Sequence, residues 1–376
     1  MITAHPHYPE WRVRDGYGGW RRTETISGVP VARLSHYVPG RPNGVRRLMS
    51  EVSFGARLLV ERWGAPDVVL LVSPALFSSA AAGLRLRLSR RRTAHAVWVQ
   101  DLYSAGVVES GQGGRFVARI MRSVESSALR GATGVAVIHD RFRDYVINEL
   151  GVEQQRVEVI RNWSHVQHAV GVDRAAVRAG YGWGDECVVL HAGNIGVKQG
   201  LVNVVEAARL ADAEQRPVRF VLLGDGNQRA EVQAAARGIR SVQFIDPLPD
   251  GEFEHALASA DVLLVNELPG MAEAAVPSKL TSYFSTGLPV IAATDLGSVT
   301  AAEIEASGGG VRVDAGRPRA LVDAVLALHA DPDGRAAYGA AGRAFRASTL
   351  DEDAAVTRFG DWLSGLAGRA RAETSS

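Results

Sequence analysis

The 376-residue chain is 46% hydrophobic and 22% charged, with a formal net charge of +1. This is the balance of a globular protein with a full core, and it excludes a polyanion binder by charge alone, so no nucleic-acid partner is expected. A single cysteine, Cys187, excludes a disulfide framework and any cysteine-based zinc site, and the first five residues, Met1 to His5, have no basic or apolar leader pattern.

In chain order, short apolar runs predict strands at 29–34, 68–73, 94–100, 134–139 and 157–162. A second series follows at 187–193, 218–224, 242–246, 261–266, 289–294 and 310–314. Most runs are continuous rather than alternating, as in strands buried on both faces. Helix-length patterns such as 201–212 and 228–237 separate them, so the class is α/β with parallel sheets covered by helices. The uncharged stretch 68–84 is short for a membrane span and is broken by Ser73-Pro74. It reads as a strand, then a helix with Ser73 as N-cap and Pro74 at its first position. The strandless stretch 163–186 divides two doubly wound sheets, and the loops after their strands are the places for a ligand.

Three such loops carry candidate chemistry. In "HAGNIGVKQG" (191–200), Gly193 and Gly196 let a backbone approach an anion near a helix start, or serve only a strand-to-helix turn. It is neither G-x-G-x-x-G nor a P-loop, so neither of those nucleotide sites is supported. Gly224-Asp225-Gly226 is a tight turn, and turn chemistry accounts for Asp225. In "VPSKLTSYFSTGLPVIAATD" (276–295), Pro277 suits the first helical position, with Ser278 and Lys279 in the first turn. A lysine there opposes the helix dipole unless an anion such as a diphosphate faces it; a solvated lysine is the alternative. Gly287 ends that helix, Pro289 blocks its continuation, and a strand restarts at Val290. Arginines cluster at Arg85, Arg87 and 90–92, and again at Arg41, Arg46 and Arg47. They read as contacts to an anionic membrane surface or as a solvated helix end.

The segments "HAGNIGVKQGL", "FVLLGDGNQRAEV", "ADVLLVNELPG", "VPSKLTSYFSTGLPVIA" and "GGGVRV" resemble the nucleotide-sugar half of a GT-B enzyme of glycosyltransferase family 4. "AHPHYPEWRV", "YVPGRPNGVRRL", "DVVLLVSPALF", "VWVQDLYS" and "VEVIRNW" resemble its exopolysaccharide, colanic-acid-type branch. The resemblance covers nearly the whole chain and implies two Rossmann-like domains facing a cleft. These are 1–165 on the acceptor side and 166–350 for the nucleotide sugar, with a helix at 351–376 crossing back and a frayed tail. It implies retaining transfer from a UDP- or GDP-linked donor to a lipid-linked or glycan acceptor in cell-surface polysaccharide synthesis. No metal or other cofactor is implied, and the place is the cytoplasm, with peripheral contact to the inner membrane face.

By the same resemblance, Gly193, Asn194, Gly196, Lys198, Gln199, Gly224, Asp225, Pro277, Ser278, Lys279 and Ser282 face the donor. Asp101 and Glu273 are the catalytic candidates, Asp101 with an N-cap as its alternative. The chain departs from the family at several points. The family's Arg and Lys in the glycine loop correspond to Asn194 and Gln199, with Lys198 adjacent. Its paired glutamates correspond to Ala274 and Ser282, with Glu273 next to the first and Glu267 upstream. Ribose contact and donor identity therefore stay open. Asp-x-Asp, the cue for a metal-bridged diphosphate, occurs at 331–333 and 351–353 and reads there as turn and cap residues. The family's first strand should precede "ITAHPHYPEW"; without it the 29–34 strand, and the 68–73 strand or whichever flanks the gap, are expected to lose a neighbour, so either the sheet order is rearranged or the start is misassigned. A nucleotide-sugar 2-epimerase would need acid–base carboxylates and histidines that do not assemble here. A non-catalytic GT-B-like binding or assembly subunit is the other alternative.

Overall fold

The computed structural model describes residues 1–8, 10–41, 44–89, 93–109, 114–163, 171–270 and 279–375. The chain forms two units, one of residues 1–160 with 358–376 and one of residues 161–357.

The first unit contains β1 (Ile2–Ala4), β2 (Arg21–Ile26), β3 (Val29–Leu34), α1 (Gly44–Val60), β4 (Val68–Ser73) and α2 (Leu76–Leu88). It continues with β5 (Ala94–Val99), α3 (Tyr103–Glu109), α4 (Gly114–Arg130), β6 (Gly134–Val137), α5 (Asp140–Asn148) and β7 (Val157–Val159). One sheet has the order β1-β3-β2 and the other is β4-β5-β6-β7, parallel throughout. β2 and β3 form an antiparallel hairpin whose turn residues, Ser27 and Gly28, both have positive φ, matching the right-handed strand twist. β3 is paired on both sides, by β1 and β2, so the expected loss of a neighbour at 29–34 is not found. Among the described residues β4 pairs with β5 alone.

Two further expectations are corrected here. Ser73 is not an N-cap: it ends β4, the Ser73–Pro74 peptide is cis, and α2 starts at Leu76 after Ala75. Its hydroxyl instead donates to the Asp101 carbonyl at 3.3 Å. Second, Arg85 does not point outward as part of a basic cluster. Its guanidinium donates to the carbonyls of Leu58 and Glu61 at the end of α1 and lies 4.4 Å over the Trp63 ring. Arg90, Arg91 and Arg92 lie outside the described residues.

The second unit contains α6 (Arg174–Tyr181), β8 (Cys187–Ala192), α7 (Val202–Ala213), β9 (Val218–Leu223), α8 (Arg229–Ala235), β10 (Val242–Ile245), α9 (Glu252–Ser259) and β11 (Val262–Asn266). Then come α10 (Lys279–Thr286), β12 (Val290–Ala293), α11 (Val299–Ser307), β13 (Gly310–Val313), α12 (Pro318–Ala330) and α13 (Pro332–Thr349). α14 (Glu352–Ser375) returns to the first unit, where Leu366 packs on Ala94 and Ala96 of β5. The sheet is parallel with the order β10-β9-β8-β11-β12-β13. All six residues of β8 are buried, because α7 and α12 cover one face of the sheet and α9 and α10 the other. Chain direction across the sheet reverses between β8 and β11, and a ligand crevice opens at such a point. Gly287 follows α10 with φ 72, and β12 begins at Val290, as expected. Asp331 and Asp351 accept from the amides of Gly334 and Ala354 at 2.9 and 2.8 Å, so both Asp-x-Asp pairs begin with a helix cap.

Candidate active site

Three loops meet at the C-terminal ends of β8, β9 and β11. After β8 the chain turns at Gly193, φ 117, and its amide donates to the Leu223 carbonyl at 2.8 Å. Ile195, fully buried, anchors the loop; its amide donates to the Asp225 carbonyl at 2.8 Å. The turn after β9 presses directly on this loop. A Cβ on Gly224 would stand 2.0 Å from the Gly193 carbonyl oxygen, and one on Gly226 would stand 2.3 Å from that of Ile195. These two glycines are required by a neighbouring backbone. Asp225 closes its own turn onto the Gly226 amide at 2.8 Å, and Arg229 braces the turn through the Gly224 carbonyl at 2.9 Å and a pair with Asp246.

The polar residues of the first loop also serve it. The Gln199 amide oxygen accepts from the Gly196 amide at 3.1 Å and from the Asn194 side chain at 3.3 Å. Lys198 is exposed. Asn266, 1% exposed at the end of β11, donates to the carbonyls of Gln199 at 2.7 Å and Gly200 at 3.1 Å. Asn194 and Gln199 are thus joined within the loop they belong to.

Lys279, the first residue of α10, is the cation brought to this loop. Its Cε lies 3.4 Å from the place a Gly193 Cβ would take, and its Nζ is 2.8 Å from His191 Nε2. His191 is fully buried near the end of β8, with Nδ1 3.2 Å from the Leu264 carbonyl. That carbonyl can only accept, so Nδ1 carries the proton and Nε2 receives the lysine. Burial lowers Lys279 from 10.5 to about 7, against the pull of the Glu267 carboxylate. Burial first, then the lysine, holds His191 well below the usual histidine range. The Glu267 carboxylate accepts from the hydroxyls of Thr294 and Thr300. One turn along α10, the buried Tyr283 hydroxyl accepts from the Ala192 amide at 2.8 Å, fixing the helix to β8. Burial pushes that phenol up.

The sequence-expected residues therefore divide. Gly193, Asn194, Gly196, Gln199, Gly224, Asp225 and Lys279 come together. Ser282 is half-buried on α10, and its carbonyl accepts from Ser285 Oγ at 2.6 Å. Glu273, Pro277 and Ser278 lie outside the described residues. Asp101 follows β5 in the first unit. At the start of α3 the Glu125 carboxylate accepts from the amides of Tyr103 at 2.9 Å and Ser104 at 3.0 Å. Sequence reasoning missed His191, Asn266 and Tyr283. A signal for this corner was nevertheless present: of 42 basic residues only two are lysines, Lys198 and Lys279.

Residues 3–163 match the glycosyl transferase 4-like domain, and residues 186–331 match the glycosyl transferases group 1 domain. The architecture is that of the GT-B glycosyltransferases. HepE of Anabaena, solved with UDP and glucose, superposes with a TM-score of 0.67 at 16% identity, over 90% of this chain and 86% of that one. Sucrose-phosphate synthase from Thermosynechococcus elongatus superposes at 0.72 and 19% identity, over 94% and 86%. In sequence, the chain is 34% identical over 303 residues to WcaI of Escherichia coli, a putative colanic acid biosynthesis glycosyl transferase, covering 76% of this chain and 73% of the relative. It is 27% identical to the probable glycosyltransferase WbjE of Pseudomonas aeruginosa, over 74% and 70%. The chain belongs to glycosyltransferase family 4 and is a glycosyltransferase.

Proposed function

We propose that this enzyme transfers a sugar from a UDP- or GDP-linked donor to a lipid-linked or glycan acceptor in cell-surface polysaccharide synthesis. The reading carries retention of anomeric configuration and no metal requirement. The observation that carries it is Lys279, set against the Gly193 turn where the sheet order reverses. The leaving group is a nucleoside diphosphate, so catalysis is chiefly stabilisation of charge growing on its phosphate oxygens. A half-buried amine beside a glycine turn can supply that charge without a cation bridge. The colanic acid role in WcaI's name and the UDP in HepE's site support the donor and pathway class. Asp101 and Glu273 are proposed to touch the donor sugar or the acceptor. Ser282 stands where the family has a glutamate, so ribose must be held by another group.

A lipid-linked acceptor calls for contact with a bilayer, and α1 offers a surface for it. Val45, Met49, Val52, Ala56 and Leu59 follow one another at helical spacing and all are exposed, Val45 at 69% and Met49 at 54%. Arg46 and Arg47 flank the stripe. An apolar face with basic flanks suits the interface of an anionic leaflet. Among the described residues no helix is long and apolar enough to cross a membrane.

The test is incubation with UDP- and GDP-sugars and a polyprenyl-diphosphate-linked acceptor, with and without EDTA. NMR of the product linkage reads its configuration. Transfer with retention, unaffected by EDTA, supports the reading. Sugar interconversion would point to an epimerase, and binding without turnover to an assembly subunit.

A further inference from the structure

Forty of the basic residues of this chain are arginines, and the two lysines both lie at the donor corner. Arginine stays charged in any protein environment, whereas lysine is compact and can give up its proton when buried. At Lys279 that difference matters. The amine has His191 on β8 at 2.8 Å and Gly193 beside its Cε. Glu267 at the end of β11 is the acidic group acting on it, and both carboxylate oxygens already receive threonine hydroxyls. Tyr283, on the same helix, is engaged with Ala192. His191 cannot rotate away, because it is fully buried and its Nδ1 faces the Leu264 carbonyl. A protonated imidazole would bring an N–H against the amine. The stable pairing is a neutral ring accepting from Lys279.

We propose that His191 is the positioning residue for Lys279. Its Nε2 receives the amine and holds it over Gly193. A nucleoside diphosphate then takes over as partner while one proton from solvent moves onto Nζ. This rests on the donor reading above. No covalent bond changes: a neutral amine and a solvent proton become an ammonium paired with phosphate oxygen, and the imidazole stays neutral. The lowered lysine value, about 7, agrees with an amine that is readily neutral in the unliganded site.

The scarcity of lysine makes a direct measurement practical. Protein labelled with [13C]lysine should give two side-chain lysine signals, and Lys198→Arg assigns them. The Lys279 signal should titrate near 7 in the unliganded protein and move upward by about two pH units or more with saturating UDP. Calorimetry at pH 8 in two buffers of different ionisation enthalpy should report uptake approaching about one proton per UDP. Lys279→Arg should take up none. His191→Phe should weaken UDP binding about tenfold, and His191→Gln, whose amide oxygen can accept, should recover most of that loss. A Lys279 midpoint above about 9.5 without ligand would overturn the neutral amine and with it the proton uptake. Equal UDP affinity in His191→Phe and the parent would overturn the positioning role. If the parent binds neither UDP nor GDP, the donor reading and the proton uptake both fall, while the lysine titration still decides whether the unliganded amine is neutral, and its shift in His191→Phe decides the pair.

Discussion

Replacing Lys279 by methionine should stabilise the unliganded protein while weakening donor binding, and the sign follows from the desolvated amine. Lys279 falls from 10.5 unfolded to about 7 folded. Between those values the unfolded chain binds more protons, so stability rises with pH across that window. At pH 6.5 the cost of keeping this side chain buried reaches about 4–5 kcal/mol, at about 1.36 kcal/mol per pKa unit. At pH 9.5 about 1.4 kcal/mol of it remains. Methionine removes that cost but leaves His191 Nε2 without a donor, which costs about 1–3 kcal/mol. The net expectation is a gain of about 2–3 kcal/mol at pH 6.5 that vanishes by pH 9.5. UDP affinity should fall by about 1.5–3 kcal/mol, the value of a charge-assisted hydrogen bond. Urea unfolding at the two pH values and calorimetry with UDP and GDP measure both effects. A variant no more stable than the parent at pH 6.5, or one whose gain is the same at both pH values, would refute the account of the desolvated amine. Unchanged nucleotide affinity would remove Lys279 from the donor site.

Gly224→Ala should cost about 3 kcal/mol or more and abolish UDP binding, because its Cβ would meet the Gly193 carbonyl at 2.0 Å. Gly238→Ala is the control: φ is also positive but the space is open, so a loss of only about 1–2 kcal/mol is expected in thermal unfolding. Glu303→Ala should cost about 3 kcal/mol in urea unfolding by stranding Arg161, whose guanidinium lies 2.5 Å from that carboxylate with side chains 17% and 5% exposed. Replacing Val45, Met49 and Val52 together by glutamine should abolish flotation with anionic vesicles. These side chains are exposed, so each change should alter stability by no more than about 0.5 kcal/mol. Full flotation by this variant would clear α1 of a membrane role.

The strands legible in the sequence are those buried on both faces. Cys187-Val188-Val189-Leu190 and Val262-Leu263-Leu264-Val265 read as continuous apolar runs because helices cover the sheet above and below. β2, Arg-Arg-Thr-Glu-Thr-Ile, carries no such run: five of its six residues are exposed, and backbone pairing with β3 makes it a strand. Ser73-Pro74 misled for a different reason. Both residue types suit a helix start, but nothing local says that the chain turns once more before α2 begins.

The site divides along a similar line. Lys279 stands out in the sequence because a cation in a first turn contradicts the helix dipole, and the structure brings it to the Gly193 turn. Glycines carry no such sign. Gly193, Gly224 and Gly226 look alike in the sequence, yet a lysine side chain fills the space beside the first and backbone carbonyls fill it beside the other two. Asn194 and Gln199 have the composition of ligand contacts, and the sequence does not show that the first donates to the second across their loop. His191 was hidden by its neighbours. In a run of buried strand residues it reads as one more core position, and only the pairing of β8 with β11 brings Leu264 to one ring nitrogen and the start of α10 to the other. A charge that violates a local rule can be found before folding. The partner that makes it tolerable belongs to the sheet order, which in this chain sets the His191 ring between a carbonyl on β11 and the amine of α10.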